Sequence, residues 1–174
     1  GLVFSLGLIL VVIGGAELFT GNALIVMAWV DRQVSTPALL RNWTTVWIGN
    51  LAGALLIAAA ISQTSLITGG FGTTAAKIAA GKMALAPLDI FVRAILCNAL
   101  VCLAVWLSFA ATDVAGKILA IILPVAAFVA LGLEHSIANM FLLPLGLMAG
   151  AEGSAALAAQ NIAIATAGNI LGGA

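Results

Sequence analysis

Long runs without a charged side chain are the feature that most constrains this chain. Charged residues are absent from four stretches, 42–76, 94–112, 135–151 and 153–174. A helix needs about 20 mostly apolar residues to cross a bilayer, and several of these runs meet that requirement alone. Further spans are long enough only if Glu17 or Glu134 lies within the membrane. The sequence therefore predicts an all-α, multi-pass integral membrane protein in contact with a lipid bilayer.

The composition supports this prediction and argues against several function classes. Hydrophobic residues make up 64% of the chain and charged residues 7%, whereas average soluble domains are about 25% charged. Six basic and six acidic residues balance and form no basic patch, so no nucleic-acid partner is expected. Cys97 and Cys102 are five apart and do not share a helix face. With a single histidine, they suggest no metal site, no cofactor and no enzyme.

Two of the five apolar segments are interrupted by polar residues. The interruptions read Glu17–Asn22 in the first segment and Glu134–Asn139 in the fourth. The looser stretch 63–86 is expected to hold only a short surface helix around 73–80. The five segments cover approximately 2–30, 37–62, 87–111, 117–147 and 156–174.

The two interruptions follow the same pattern of glutamate, four residues and asparagine. A Gly-Asn pair follows each one, with Asn50 33 residues after Glu17 and Asn169 35 residues after Glu134. Three membrane crossings separate the interruptions, and an odd number inverts the second copy. The chain is therefore predicted to be a single transmembrane domain, 1–174, whose halves, approximately 1–62 and 87–174, form an inverted repeat. Paired broken helices in such a repeat indicate a binding site or pore near the midplane.

The repeat also predicts a further span. The second half has a span before its interruption, at 87–111, whereas the first half has none. Both ends of the chain lie in apolar runs. We therefore expect truncation at both ends, and about five of six transmembrane helices in this chain.

Five segments carry a resemblance to a known family. AELFTGN at 16–22, GNLAGA at 49–54, FVRAILCNALVCLAVW at 91–106, LEHSIANMF at 133–141 and GNILGG at 168–173 resemble the formate/nitrite transporter family, and most of all its formate-type members. The resemblance implies an aquaporin-like, six-helix protomer with its own pore in a homopentamer. It implies transport of small monovalent anions across a prokaryotic inner membrane, with formate as the first candidate and nitrite or hydrosulfide as the alternative. It also implies that the turns near 31–37 and 112–117 face the cytoplasm.

The resemblance assigns the central positions of the pathway to His135 and Thr20. An imidazole gains or loses a proton near neutral pH, and a histidine at membrane depth is costly unless it serves a site. The resemblance implies that His135 offers a positive or proton-donating group to a passing carboxylate. It places Thr20 on a flexible loop that narrows the pore, where Gly21 supplies backbone freedom. Control of pH-dependent passage is expected from these two residues.

Other residues receive lesser roles. Glu17, Glu134 and Asn22 are expected to be structural at the helix breaks, with proton handling as an alternative for the two glutamates. Asn98 is a candidate to contact the substrate, and Asn139 is a candidate to hydrogen-bond either the substrate or the imidazole. Lys82 is a candidate to draw anions into an outer vestibule, although a solvated loop position is the alternative. The resemblance assigns hydrophobic gates to Phe4, Leu8, Leu18, Phe19, Leu119 and Phe128.

A neutral-solute facilitator of the aquaporin type is the competing function from a different class. Its shape is compatible with an inverted repeat of broken helices. However, neither interruption contains an Asn-Pro-Ala motif, since Pro37, Pro87, Pro124 and Pro144 all lie elsewhere. The chain also lacks a GxxxxGK[ST] nucleotide motif, so it is not expected to drive transport with a nucleotide by itself.

Overall fold

A computed structural model describes residues 1–174 as eight α-helices with no β-strand. The all-helical prediction is confirmed. Helices α3, α5 and α8 are long and apolar enough to cross a membrane, and α1, α6 and α7 are shorter apolar helices. The helices are α1 (Leu2–Gly14), α2 (Ile25–Val30), α3 (Thr36–Ser62), α4 (Gly70–Met83), α5 (Pro87–Ala110), α6 (Val114–Ala130), α7 (Ser136–Met148) and α8 (Ala155–Gly173).

Polar residues in the connecting turns fix where the long helices begin. The Ser35 side chain accepts from the Ala38 N–H at the start of α3, where Pro37 lies in the first turn as the sequence predicts. Asp113 caps α6 in the same way, with its Oδ1 2.9 Å from the Gly116 nitrogen. Ser154 caps α8. Such caps satisfy N–H groups that the first helical turn leaves unpaired.

Both interrupted segments are broken helices. The first break separates α1 from α2 and ends in a single 3₁₀ turn at Asn22–Leu24, and the second separates α6 from α7. Each begins at a glycine with left-handed backbone, Gly15 (φ 72°) and Gly132 (φ 65°). Glycine adopts this conformation without steric cost, and it ends an α-helix. Each of these glycines lies two residues before the repeated glutamate, so the repeat includes the residue that ends the half-helix.

Glycines also let the helices pack closely. The most extensive contact joins α5 and α8, and α7 packs against α3, α4 and α8. A Cβ atom added to Gly172 of α8 would lie 2.1 Å from the carbonyl oxygen of Ile95, and one on Gly146 of α7 would lie 2.2 Å from the Ala79 Cβ. Only glycine fits these crossings, as is common where membrane helices approach closely.

Helix α4 is longer and more deeply packed than the expected surface helix at 73–80. It covers Gly70–Met83 and packs against α7. Its small residues Gly72, Ala75 and Ala79 are buried together with Met83, at spacings of three and four that place them on one helix face. The outer faces of the spanning helices remain apolar, with Leu56 and Leu123 among the most exposed side chains.

Candidate functional site

The two helix breaks meet at Thr20 and His135. The Thr20 Oγ1 lies 3.0 Å from the His135 Nε2, although the residues are 115 positions apart in sequence. Both side chains are buried. The structure therefore brings together the two residues to which the resemblance assigns the central positions, one from each half of the chain.

The capping role of His135 fixes the orientation of its ring. His135 is the N-cap of α7, and its Nδ1 accepts a hydrogen bond from the Ala138 N–H at 3.1 Å. A ring nitrogen that accepts from an N–H carries no proton, so this hydrogen-bond network assigns the proton of the neutral ring to Nε2. The Nε2–H then donates to the Thr20 oxygen. The hydroxyl proton of Thr20 stays available for another acceptor.

Two phenylalanines pack against the imidazole. The Phe128 ring stacks on His135 with centroids 5.7 Å apart and an interplanar angle of 15°. Phe4 stands edge-on to both, with its centroid 5.6 Å from that of Phe128 and 6.4 Å from that of His135. The three rings therefore form a compact triangle, in which the imidazole has one apolar ring against its face and another near its edge.

A cavity of about 240 Å³ opens beside this trio, and we refer to it as the central cavity. His135 is the one titratable residue among those that line it. Nine of its eleven lining residues are hydrophobic, and hydrophobic constrictions in channels can exclude hydrated ions. Its lining consists of Phe4, Gly7, Leu8, Leu18, Val101, Val125, Phe128, His135, Ile137, Ala138 and Phe141.

Four of the six expected gate residues line the central cavity, and Phe19 and Leu119 do not. Phe19 packs edge-on against Trp43, at 6.4 Å between centroids, in a groove between α3 and α8. Leu119 is 68% exposed on the outer face of α6. Ile121 is buried in the core on the same helix, and residues two apart on a helix point in different directions.

Repeat-related asparagines hold the backbone of both breaks. Asn50 accepts from the Phe19 N–H and donates to the Glu17 carbonyl, both at 3.0 Å. Asn169 accepts from the Ser136 N–H at 2.8 Å and donates to the Glu134 carbonyl at 3.0 Å. In each break these groups belong to the glutamate and to the residue two positions later.

We call these two side chains the asparagine clamps. The sequence pattern predicts that Asn50 and Asn169 brace contacts between helices. The structure shows both bonded to unwound backbone, and Asn169 also joins α8 to α5 through the Ala94 carbonyl at 2.8 Å. The signal that could have identified this role is the nearly equal spacing of 33 and 35 residues from each glutamate.

Glu134 is a buried carboxylate with a complete set of partners. Its Oε1 lies 2.6 Å from the Lys82 Nζ, and its Oε2 accepts from Asn139 at 2.6 Å and Asn161 at 3.3 Å. A buried charge is tolerated only when it is paired and hydrogen-bonded in this way. Asn139 therefore contacts Glu134 and Asn161 and makes no hydrogen bond with the imidazole.

Glu17 has a partly similar environment. Its carboxylate accepts from Asn22, whose amide also donates to Asn42 at 2.9 Å. Asn22 and Asn42 thus repeat the pair formed by Asn139 and Asn161. Glu17 differs in being exposed and in having no ion-pair partner. Neither Asn42 nor Asn161 is identified by the sequence analysis.

Asn98 and Lys82 lie outside the central cavity. Asn98 is buried, and its Nδ2 donates to the Asn169 carbonyl at 2.6 Å. Lys82 lines a separate cavity of about 390 Å³, the outer vestibule, together with Lys77 and Arg93. Arg93 is paired with Asp89 at 2.7 Å. No group of three His, Cys, Asp or Glu side chains that could hold a metal ion is present.

An all-helical fold with apolar outer faces, two broken helices and a narrow apolar cavity where they meet defines an integral membrane protein of the channel or transporter class. The family model described as Formate/nitrite transporter matches residues 1–174. The chain belongs to the formate/nitrite transporter family.

Similar proteins carry the names of channels and transporters rather than of enzymes. A probable formate transporter of Methanothermobacter thermautotrophicus is 43% identical over 191 aligned positions, which cover 100% of this chain and 70% of that protein. The formate channel FocA of Haemophilus influenzae is 44% identical over 85% of this chain and 53% of its own length. The matched part of this chain therefore spans 53% to 70% of the length of these relatives.

Two solved structures share the fold. A pentameric formate channel with formate bound superposes with a TM-score of 0.84 at 37% identity, covering 99% of this chain and 76% of that chain. An FNT family ion channel superposes with a TM-score of 0.89 at 32% identity, covering 99% of this chain and 70% of that chain. These matches confirm that the fold is the one the sequence motifs indicate.

Proposed function

We propose that this protein conducts small monovalent anions, formate first among them, across a prokaryotic inner membrane and catalyses no reaction. The halves 1–62 and 87–174 form an inverted repeat with one pathway through each protomer of a homopentamer. The observation that carries the proposal is the 3.0 Å contact between Thr20 and His135 beside an apolar cavity. Relatives named as formate channels and a pentameric neighbour with formate bound support it.

The two donors suit a carboxylate. The Nε2–H of His135 and the hydroxyl of Thr20 are adjacent, so formate accepts from both when it separates the two side chains. The aromatic rings of Phe4 and Phe128 exclude water around it. In such surroundings an unpaired anion is costly, and uptake of a proton from the aqueous solution by a weakly basic anion lowers that cost. Passage is therefore selective for small anions that accept hydrogen bonds and take up a proton.

Nitrite and hydrosulfide are the alternative solutes. Nitrite has two acceptor oxygens in a plane, as formate has, so the paired donors suit both. Hydrosulfide presents a single sulfur atom that both donors would share. We would measure the flux of all three anions through the full-length protein in liposomes at two pH values. The relative fluxes rank the anions as substrates.

The assigned role of His135 is tested by replacing it with phenylalanine. A ring of similar size keeps the apolar surroundings and removes both the Nε2–H donor and the Nδ1 cap of α7. We expect His135→Phe to abolish pH-dependent formate flux in liposomes that contain the full-length protein. Thr20→Ser, which keeps the hydroxyl, should retain flux, whereas Thr20→Val should lose most of it. An unchanged flux and pH profile in His135→Phe would refute the role.

A further inference from the structure

A second cavity of about 240 Å³ lies near the opposite end of the same helices, and we call it the inner vestibule. It differs from the central cavity in having charged and polar residues in its wall. It is lined by Val11, Val12, Gly21, Asn22, Val105, Ser108, Phe109 and Lys117.

The inner vestibule continues the axis of the central cavity. On α1, Leu8 lines the central cavity and Val12, one turn later, lines the inner vestibule. On α5, Val101 lines the central cavity and Val105, one turn later, lines the inner vestibule. Residues four apart on a helix lie one above the other.

The break segment and α6 follow the same order. Leu18 lines the central cavity and Gly21 lines the inner vestibule, so Thr20 lies in the chain between them. On α6, Val125 lines the central cavity, and Lys117, about two turns earlier, lines the inner vestibule. Four elements therefore pass from one cavity to the other, with the contact between Thr20 and His135 at the boundary.

Lys117 is the one cation in the wall of the inner vestibule, and it is not in an ion pair. The two ion pairs of the molecule are Lys82 with Glu134 and Arg93 with Asp89. Asp113 is one turn before Lys117, but its carboxylate caps α6. The positive charge of Lys117 is therefore not neutralised by a contacting carboxylate.

The other polar groups of the wall already have acceptors. The Ser108 hydroxyl donates to the Val105 carbonyl at 2.6 Å, and the Asn22 amide donates to Glu17 and Asn42. Only the ammonium group of Lys117 is left to attract and bind an anion at this end. A half-buried, unpaired ammonium in a cavity with low-dielectric walls concentrates anions there.

Lys117 lies at the opposite end of the fold from Lys82. Lys82 precedes α5 and Lys117 follows it, so one full span separates them. We propose that Lys117 is the residue that captures small monovalent anions, carboxylates included, at the inner vestibule before they reach Thr20. This inference rests on the proposed function and adds a specific binding residue on the side opposite the outer vestibule.

The test measures flux from each side separately. Full-length protein is assayed in right-side-out and inside-out membrane vesicles with radiolabelled formate over a range of concentrations. For Lys117→Met we expect the half-saturating formate concentration on the inner side to rise about three- to tenfold, because the local anion concentration falls. On the outer side it should stay unchanged, and the difference should shrink at high ionic strength.

Two further variants separate charge from structure. Lys117→Arg keeps the charge and should behave as the wild type. Arg32→Gln removes one positive charge from the turn between α2 and α3 on the same side, away from the inner vestibule, and should leave both half-saturating concentrations unchanged. Elution of each variant by size exclusion reports folding.

The possible failures are distinct. If the wild type conducts formate and Lys117→Met leaves the half-saturating concentration on the inner side unchanged, the role of Lys117 is overturned and the proposed function is not. An equal rise on both sides, or the same rise in Lys117→Arg, would show a structural effect and overturn it too. Absence of wild-type flux for formate, nitrite and hydrosulfide would overturn the proposed function and this inference with it.

Discussion

Asn169 illustrates how single polar residues hold an apolar protein together. Its side chain accepts from the Ser136 N–H and donates to the carbonyls of Glu134 and Ala94, while its own carbonyl accepts from Asn98. No water reaches these buried groups to replace a lost partner. In membrane proteins such unpaired backbone groups are costly, so this asparagine clamp is expected to contribute strongly to stability.

We expect Asn169→Ala to lower stability by about 2–4 kcal/mol, because two or three buried backbone groups lose their partner. Asn50→Ala removes the equivalent clamp from a more exposed site and should have a smaller effect. Apparent midpoints of thermal unfolding in detergent, measured for both variants and the wild type, test the order. Equal losses in the two variants would contradict the role of burial.

The sequence predicts positions along the chain better than directions in space. The matched spacing of the repeat locates the two breaks, and the resemblance of their short motifs to the family selects Thr20 and His135 within them, because both signals are visible in one dimension. It does not give the side on which Phe19 and Leu119 lie, since that depends on the path of the unwound backbone and on the rotation of α6. The partners Asn42 and Asn161 are missed for the same reason.

At the scale of helices, the contact between α5 and α8 depends on residues that have no side chain. A Cβ on Gly168 would lie 2.6 Å from both the Ala94 Cβ and the Phe91 carbonyl oxygen. A backbone atom cannot move aside as a flexible side chain can. The sequence identifies the Gly-Asn pair that contains this residue, but the facing helix is known only from the structure.

We expect Gly168→Ala to destabilise the protein by about 1–3 kcal/mol, because α5 and α8 must separate to admit the methyl group. Gly53→Ala in α3 is the matched control. A Cβ there meets no atom within 4 Å, so the change should be neutral or slightly stabilising. Thermal melts followed by circular dichroism compare the two. A loss in Gly53→Ala as large as in Gly168→Ala would disprove the packing argument.

Helix α4 shows the limit of hydropathy at this scale. The stretch 63–86 contains two lysines and several glycines, so it resembles a surface connection. The structure instead packs its small residues Ala75 and Ala79 against α7. Close packing of small side chains gives little hydropathy signal, which is why the prediction of a short helix at 73–80 is too modest.

For the whole molecule, the number of spans sets the topology. The turn at 31–35 and the turn at 111–113 are separated by two crossings, α3 and α5, and therefore lie on one side. The loop at 63–69 and the turn at 149–154 lie on the other. The odd number of crossings between the two breaks predicts this inverted arrangement from sequence alone, and the apolar runs predict the helices that form it.

We expect cysteines introduced at exposed positions to be labelled by an impermeant thiol reagent from opposite sides. Gln33→Cys and Thr112→Cys should react from one side of sealed vesicles, and Gln63→Cys and Glu152→Cys from the other. The wild type is the control and should stay unlabelled, because Cys97 and Cys102 are buried. Reaction of Gln33→Cys and Thr112→Cys from different sides would exclude the inverted repeat.

Because His135 is the N-cap of α7, one residue affects both the wall of the central cavity and the start of a helix. The same ring that faces the central cavity also ends the second break, through its bond to the Ala138 N–H. A tilt of α7 would turn the imidazole ring and so change the shape of the central cavity. Under the proposed function, a replacement at this position changes permeation and helix initiation together, unless the new side chain also accepts from the backbone. Asparagine and aspartate satisfy that condition. Either residue could therefore replace His135 during evolution and alter the transported solute while α7 still begins at the same position.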